Sequence, residues 1–306
     1  MYFLTDEERK KVLRGLLPHS REAGVAEELR GWNWFQPPLE APLPVRLALY
    51  EVAGRYCPTG RDLYMRRVLG IKVRPNKAMI MGSYLHQTMV DVLVQAKRLI
   101  YLKGVQNFRQ VLQELSQFVP SEPEVRDLQL SPEDLQELKH KAGLVAAFEQ
   151  ARLCSRIQEV LAKQPHVAED SLAALAVPVV VEQKLDGSFL GLSPNLSADA
   201  LVFSEPMIMD LKTGERRDFH RLSLAGYALV MEAMYEYPVN LGCTVYVQFR
   251  GDRLLVEKEF HILNDELRQW FVEERDEKMR MIHQELDPGR PERCPETCPL
   301  AKACRG

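Results

Sequence analysis

The chain contains no run of eighteen or more uninterrupted apolar residues, so no stretch of it reads as a membrane-crossing helix. Its opening, MYFLTDEERKK, turns charged at Asp6, too early for a secretory leader, and a soluble, cytoplasmic protein is expected. There is no Gly-x4-Gly-Lys-Ser/Thr phosphate loop, so any ATP-driven step would fall to a partner. Nor is there an excess of positive charge: 40 Lys and Arg stand against 43 Asp and Glu, a net charge of −3. A nucleic-acid partner must then be met by a local basic groove and not by the overall field. Internal repeats, low-complexity tracts and a clean interdomain linker are missing. Cysteine is scarce, six in 306 residues, which argues against a disulfide scaffold.

What is present is a hydrophobic content of 46%, enough for a packed core. Thr5 with Glu8 reads as a capping box, opening a helix whose apolar positions are Val12, Leu16 and Leu17. LRGWNWFQPPLEAPLP (29–44) is too rich in proline for regular structure and reads as an ordered arm carrying Trp32, Trp34 and Phe35. VRLALYEVAG (45–54) alternates as a strand and delivers the chain to Cys57-Pro58; TGRDLYMRRVLG after it reads as a short helix. Residues 76–163 read mostly as helix, with Ser131-Pro132-Glu133-Asp134 starting one that runs to Lys163. From about 176 the period becomes two. AVPVVVEQKLDG, SFLGL, ADALVF and PMIMDLKTG predict adjacent strands, then a helix follows over 217–236. CTVYVQF and LLVEKEFHI predict two strands joined at Arg250-Gly251-Asp252, before a last helix from Asn264 to about His283. The order is α/β: segments 1–57, 58–175, 176–283 and 284–306 of one compact unit, the last a cysteine tail.

In EPMIMDLKTGE (205–215) an apolar run ends in Asp210 and Lys212 flanking Leu211. Strand alternation aims Asp210 and Lys212 to one side and Leu211 into the opposite layer. On its own this suits a surface strand end with an ion pair. Asp199, eleven residues earlier, would sit beside Asp210 if two adjacent strands are joined by a Ser204-Glu205-Pro206 turn. Two converging carboxylates repel unless a proton or cation lies between them, and such oxygen ligands suit Mg²⁺ or Mn²⁺. A lysine beside that ion could orient water and stabilise charge on a phosphate, the equipment of metal-assisted phosphodiester hydrolysis.

Asp199 followed by Asp210-Leu211-Lys212 resembles the signature of the PD-(D/E)XK nuclease superfamily, and MGSYLHQTMVDV with His86 resembles the histidine motif of its RecB-like branch. The resemblance implies a restriction-endonuclease-like core with a mixed central sheet flanked by helices and an N-terminal helical insertion. It implies that His86, Asp199, Asp210 and the Leu211 carbonyl hold the metal, with Lys212 catalytic. RLSLAGYAL resembles the branch's Gln-then-Tyr motif through Tyr227, but Ser223 stands where glutamine is expected. Glu182 reads as a solvent-facing strand residue, with a place at the metal site as the alternative.

CPETCPLAKAC places Cys294, Cys298 and Cys304 in a short loop, and Cys57 would complete a four-thiolate set for an iron–sulfur cluster or a structural zinc. Cys154 and Cys243 read as small buried hydrophobes. One cysteine ahead of the core and three at the end resembles the CRISPR-associated RecB-like nucleases, the fourth Cas family, in which the four hold an iron–sulfur cluster. FLTDEERKKVLRGLLP, ELRGWNW and YCPTGRDLYMRRV resemble its archaeal type I-A branch. The resemblance implies a 4Fe–4S cluster and a metal-dependent exonuclease acting on single-stranded DNA or frayed ends. It also implies work beside the CRISPR adaptation integrase proteins, trimming new spacer precursors. Arg61, Arg66, Arg67, Lys72, Arg74 and Lys77, with Arg216, Arg217, His220 and Arg221, could line the DNA phosphates.

Overall fold

A five-stranded mixed sheet, in the order β1-β2-β3-β4-β5, divides the molecule into layers. The computed structural model describes residues 1–122, 130–202, 206–294 and 298–305. Strand β2 (Leu196–Val202) runs antiparallel to both β1 (Val180–Leu185) and β3 (Met207–Thr213); β3 and β4 (Leu241–Arg250) are parallel, and β5 (Arg253–Ile262) returns antiparallel to β4.

The helices ahead of the sheet are α1 (Asp6–Lys11), α2 (Leu17–Ala23), α3 (Leu49–Ala53), α4 (Arg61–Arg67), α5 (Lys77–Lys103), α6 (Phe108–Ser116), α7 (Pro132–Lys163) and α8 (Glu169–Ala176). After β3 come α9 (Arg221–Tyr235), α10 (Asp265–His283) and α11 (Ala301–Arg305). Thr5 and Glu8 form the reciprocal cap of α1, and Ser131 and Asn264 cap α7 and α10. Among the described residues no helix is long and apolar enough to cross a membrane.

Alternation along β3 sorts the two cores. Met207 and Met209 enter the core built with α5 to α8, whereas Ile208 enters the one built with α3, α9 and α10. Leu211 packs with the first core, which leaves Asp210 and Lys212 on the side of Ile208. The expected Ser204-Glu205-Pro206 turn lies, but for Pro206, outside the described residues.

Two expected strands are absent. VRLALYEVAG forms only one parallel bridge, Leu47 with Leu192, and then turns into α3. Its apolar residues satisfy both periods, and the helix wins because Leu49, Val52 and Ala53 are buried together while Glu51 accepts the Ala48 amide at 2.9 Å. SFLGL is a 3₁₀ turn over Ser188–Leu190. Asp186 Oδ1 accepts the Ser188 amide at 2.9 Å, and Gly191 takes φ 68°, where a Cβ would strike Met279 and Ala41. The helix expected from 217 begins at Arg221, preceded by a 3₁₀ turn over Asp218–His220.

Candidate active site

The acids are placed by a break in strand alternation. Leu196 and Ala198 enter one core but Ala200 and Val202 the other, so β2 twists over at Asp199. Across from it, pairing runs Val181 with Ala200 and Gln183 with Ala198, skipping Glu182, whose φ is +53°. A left-handed glutamate inside a strand is a costly conformation of the sort held by surrounding contacts at working sites. Here it turns the Glu182 carboxylate onto Nε2 of His86, while Ser197 Oγ donates to its other oxygen at 2.8 Å. The solvent-facing reading of Glu182 is therefore replaced: the side chain is partly exposed but committed to the histidine.

His86 comes from α5, which approaches the end of β3 so closely that a Cβ on Gly82 would lie 3.1 Å from Thr213 Oγ1. Nδ1 of His86 lies 2.7 Å from the Tyr2 hydroxyl and 3.8 Å from Asp199 Oδ2. The same Asp199 oxygen accepts the Leu211 amide at 2.8 Å, tying β2 to β3 where their ladder ends. His86, Glu182 and Asp199 thus bring three potential ligand atoms within 4.8 Å of one another, the only such group of His, Cys, Asp and Glu among the described residues.

Asp210 sits beside this group but faces Lys212, with Nζ 2.7 Å from Oδ2. Asp210 is 5% exposed, and that oxygen, sealed from solvent, has the ammonium near it but no hydrogen bond of normal geometry. Burial, reinforced by Asp199, pushes the Asp210 carboxyl up to about 6 against the pull of Lys212. Burial opposes the charge on Lys212, but Asp210 and then Asp199 outweigh it and hold the ammonium above its usual range. The His86 hydrogen bond, more than any other contact, holds Glu182 down at about 2. Burial disfavours the His86 imidazolium, yet Glu182 and Asp199 together raise its pKa.

His86, Asp199, Asp210 and Lys212 share a cleft of about 450 Å³, whose wall also includes Tyr50, Ser83, Ser223 and Tyr227. Tyr227 does not touch the acids; its hydroxyl donates to the Ser197 carbonyl at 2.6 Å, bracing β2. Ser223 lines the cleft with a side chain too short to reach as a glutamine amide would. Sequence reasoning missed Tyr2, Ser197 and Tyr50; the only sign of Tyr2 is that it stands in an apolar tetrad, Met1 to Leu4, directly before a capped helix.

The cysteines lie at another place. The tail docks on α4 and the loop after it: Leu300, Cys298 and Cys304 pack with Met65, Ile71 and Val73, and Thr59 Oγ1 donates to the Gly289 carbonyl at 2.9 Å. Burial raises the pKa of Cys298, with Cys294 and Cys57 adding to the rise. Arg61 is clamped by two 2.8 Å bonds to Asp287 and donates to Cys304 Sγ at 3.2 Å. Cys243 is buried and its thiol pushed up to about 12; Cys154 is half-buried.

Most of the basic residues read as DNA contacts have protein partners as well. Arg66 meets Glu51 and Asp62, Arg67 meets Glu51, Lys77 meets Asp134 and Glu137, Arg216 meets Glu257, Arg217 meets Glu215, and Arg221 meets Asp218. His220 is no phosphate contact: it is 4% exposed, lies between Tyr56 and Tyr246, and burial lowers its pKa to about 4.

Fold and cleft together define an α/β protein in which three acids, a histidine and a lysine meet where the central strands part. Over residues 1–306 the chain matches the family described as CRISPR-associated exonuclease Csa1, and it belongs to that family. It is 32% identical over 302 residues to the CRISPR-associated exonuclease Csa1 of Thermoproteus tenax, covering 99% of each chain. It is 31% identical over 284 residues to the protein of that name from Saccharolobus solfataricus, covering 92% of each.

Proposed function

We propose that the chain is a divalent-metal-dependent deoxyribonuclease with a PD-(D/E)XK core. It would act as an exonuclease on single-stranded DNA or frayed ends and trim spacer precursors beside the CRISPR integrase proteins. The observation that carries this is the sealed Asp210 oxygen facing Lys212 at 2.7 Å beside a converging histidine and two further carboxylates. Three acids and one lysine leave this group short of positive charge, and an imidazole with carboxylate oxygens is a ligand set that Mg²⁺ or Mn²⁺ accepts.

His86, Asp199 and Asp210, with the Leu211 carbonyl, would hold the ion, and Glu182 adds its charge to the set. Bound there, the ion would supply Lewis acidity at the phosphate and lower the pKa of the attacking water. Lys212 then stabilises the negative charge building on the phosphate oxygens and holds the attacking water by a hydrogen bond, while Asp210 fixes the ammonium in place. Ser197 and Tyr227 keep the β2 backbone and Glu182 in register.

Cys57, Cys294, Cys298 and Cys304 would hold an iron–sulfur cluster, of the 4Fe–4S kind, that pins the tail to α4. Four thiolates are the ligand set of such a cluster, and Cys298 and Cys304 pack together against Met65 of α4.

The test is loss of end-labelled single-stranded DNA with Mg²⁺ or Mn²⁺, comparing anaerobically purified wild type with Lys212→Ala. Cutting by the wild type alone supports the reading. Equal activity, or none from either, sinks it and leaves a DNA-end or integrase-binding subunit with a structural cluster.

A further inference from the structure

Two large aromatic rings stand in water close to the acids and the lysine, one of them in the cleft wall. Tyr50 is 66% and Tyr56 62% exposed, although most rings of this size in the chain are covered. Both belong to the short segment from α3 to Cys57. Tyr50 forms part of the cleft wall with His86, Asp199 and Lys212. Tyr56 lies on the Lys212 side: its hydroxyl meets Nε2 of His220 at 3.2 Å, His220 reaches Tyr246, and Tyr246 stands opposite Lys212 where β3 pairs with β4.

Neither ring hangs free. Phe219 meets Tyr56 edge to face, centroids 5.0 Å apart at 86°, and His220 continues through its Nδ1 to the Tyr246 hydroxyl at 3.2 Å. Arg66 lies 5.9 Å from the Tyr50 ring centre, and Arg216 lies 5.2 Å from that of Tyr246. Exposed rings with guanidinium groups close by, beside a phosphate-cutting centre, suit one ligand chemistry: unpaired nucleobases on an anionic backbone. Stacking on an aromatic face is open to any base, but a base within a duplex has both faces covered by its neighbours.

We propose that Tyr50 and Tyr56 form a stacking platform for the unpaired bases of a DNA end entering the cleft, so that selection for single strands is made by these two rings. The proposal rests on the nuclease reading and deepens it. Arg66 and Arg216 steer the backbone, while the rings supply the affinity that a duplex cannot use.

The experiment measures binding without cleavage. Fluorescence anisotropy of a fluorescein-labelled oligothymidylate is recorded in EDTA with the full chain, against an oligonucleotide of equal length whose residues are abasic. Wild type should prefer the oligothymidylate. Tyr50→Leu and Tyr56→Leu should each weaken its binding about five-fold or more, and the double variant should bind both oligonucleotides alike. Tyr50→Phe keeps the ring and should bind as wild type, which separates stacking from a folding defect. Equal affinity of wild type for the two oligonucleotides, or Leu variants that keep the preference, would overturn the platform. A wild type that prefers bases yet cuts nothing with Mg²⁺ would sink the nuclease reading and leave the platform standing.

Discussion

The Tyr2 hydroxyl lies 2.7 Å from Nδ1 of His86 and 3.3 Å from Oδ2 of Asp199, joining a histidine and an acid that stand 113 positions apart (199 less 86). Tyr2 is fully buried, and burial and then Asp199 raise its pKa, so the phenol stays protonated and can bridge the two. With His86 protonated, Nε2–H donates to Glu182, Nδ1–H to Tyr2, and the Tyr2 hydroxyl to Asp199.

Tyr2→Phe removes that bridge and keeps the ring in its packing. Groups that orient metal ligands typically govern affinity by about ten- to a hundred-fold. Mn²⁺ affinity, read by titration calorimetry, should therefore fall at least about ten-fold, while unfolding shifts by about 1 kcal/mol. Unchanged Mn²⁺ affinity would reduce Tyr2 to a core ring.

The contrast between Asp210 and Glu182 explains what was legible in the sequence. Met207-Ile208-Met209 followed by an acid and a lysine two apart states its geometry locally, because a period of two leaves only one shared face. The helix caps at Thr5, Ser131 and Asn264 are legible for the same reason. Glu182 is not, because its role depends on a left-handed φ that no residue-type preference announces, and on a helix brought from 96 positions away. Tyr2 likewise depends on tertiary register alone. The α3 segment misleads because Val45, Leu47 and Leu49 alternate while Leu49, Val52 and Ala53 repeat helically, and only the surrounding packing chooses between the two.

If the four cysteines hold a cluster, Cys57→Ser and Cys304→Ser should lose iron, acid-labile sulfide and visible absorption, and the tail should become open to proteolysis. Cys243→Ala, in the core far from the tail, should keep all three. Arg61→Ala should keep the ligands but lose the cluster faster in air, because its donation to Cys304 Sγ and its clamp on Asp287 both go. Zinc in place of iron after anaerobic purification would overturn the assignment.

Glu232 is the hub of a buried network: it is fully buried and takes Arg268 at 2.7 and 2.9 Å, Arg30 at 2.9 Å, and the Gly31 and Val239 amides at 2.9 Å. It fastens the aromatic arm to α9 and α10. Glu232→Ala leaves two guanidinium groups without their acid, and removing one member of a buried pair costs about 3–5 kcal/mol. Urea unfolding should register that loss, with an early change in tryptophan fluorescence from Trp32 and Trp34; a loss below about 1 kcal/mol would show the arm is held by packing instead.

The Asp210 carboxyl, raised to about 6 from an ordinary 3.8, sets the pH dependence of the cleft. A group whose folded pKa is raised contributes stability that is complete below its unfolded value and is lost as pH rises through the folded one. Metal-free protein should therefore lose stability between about pH 4 and 6 from this group, by at most about 3 kcal/mol. A divalent ion bound at Asp210 would have to displace that proton, so Mn²⁺ should raise the melting temperature strongly at pH 7 and little at pH 5. Asp210→Asn should melt higher than wild type in EDTA at pH 7, because the neutral amide is spared the cost of burying a charge and, less, the repulsion with Asp199, and it should lose most of the Mn²⁺-induced rise. An equal Mn²⁺ shift in wild type and Asp210→Asn would remove Asp210 from the metal site and leave it as the partner of Lys212 alone.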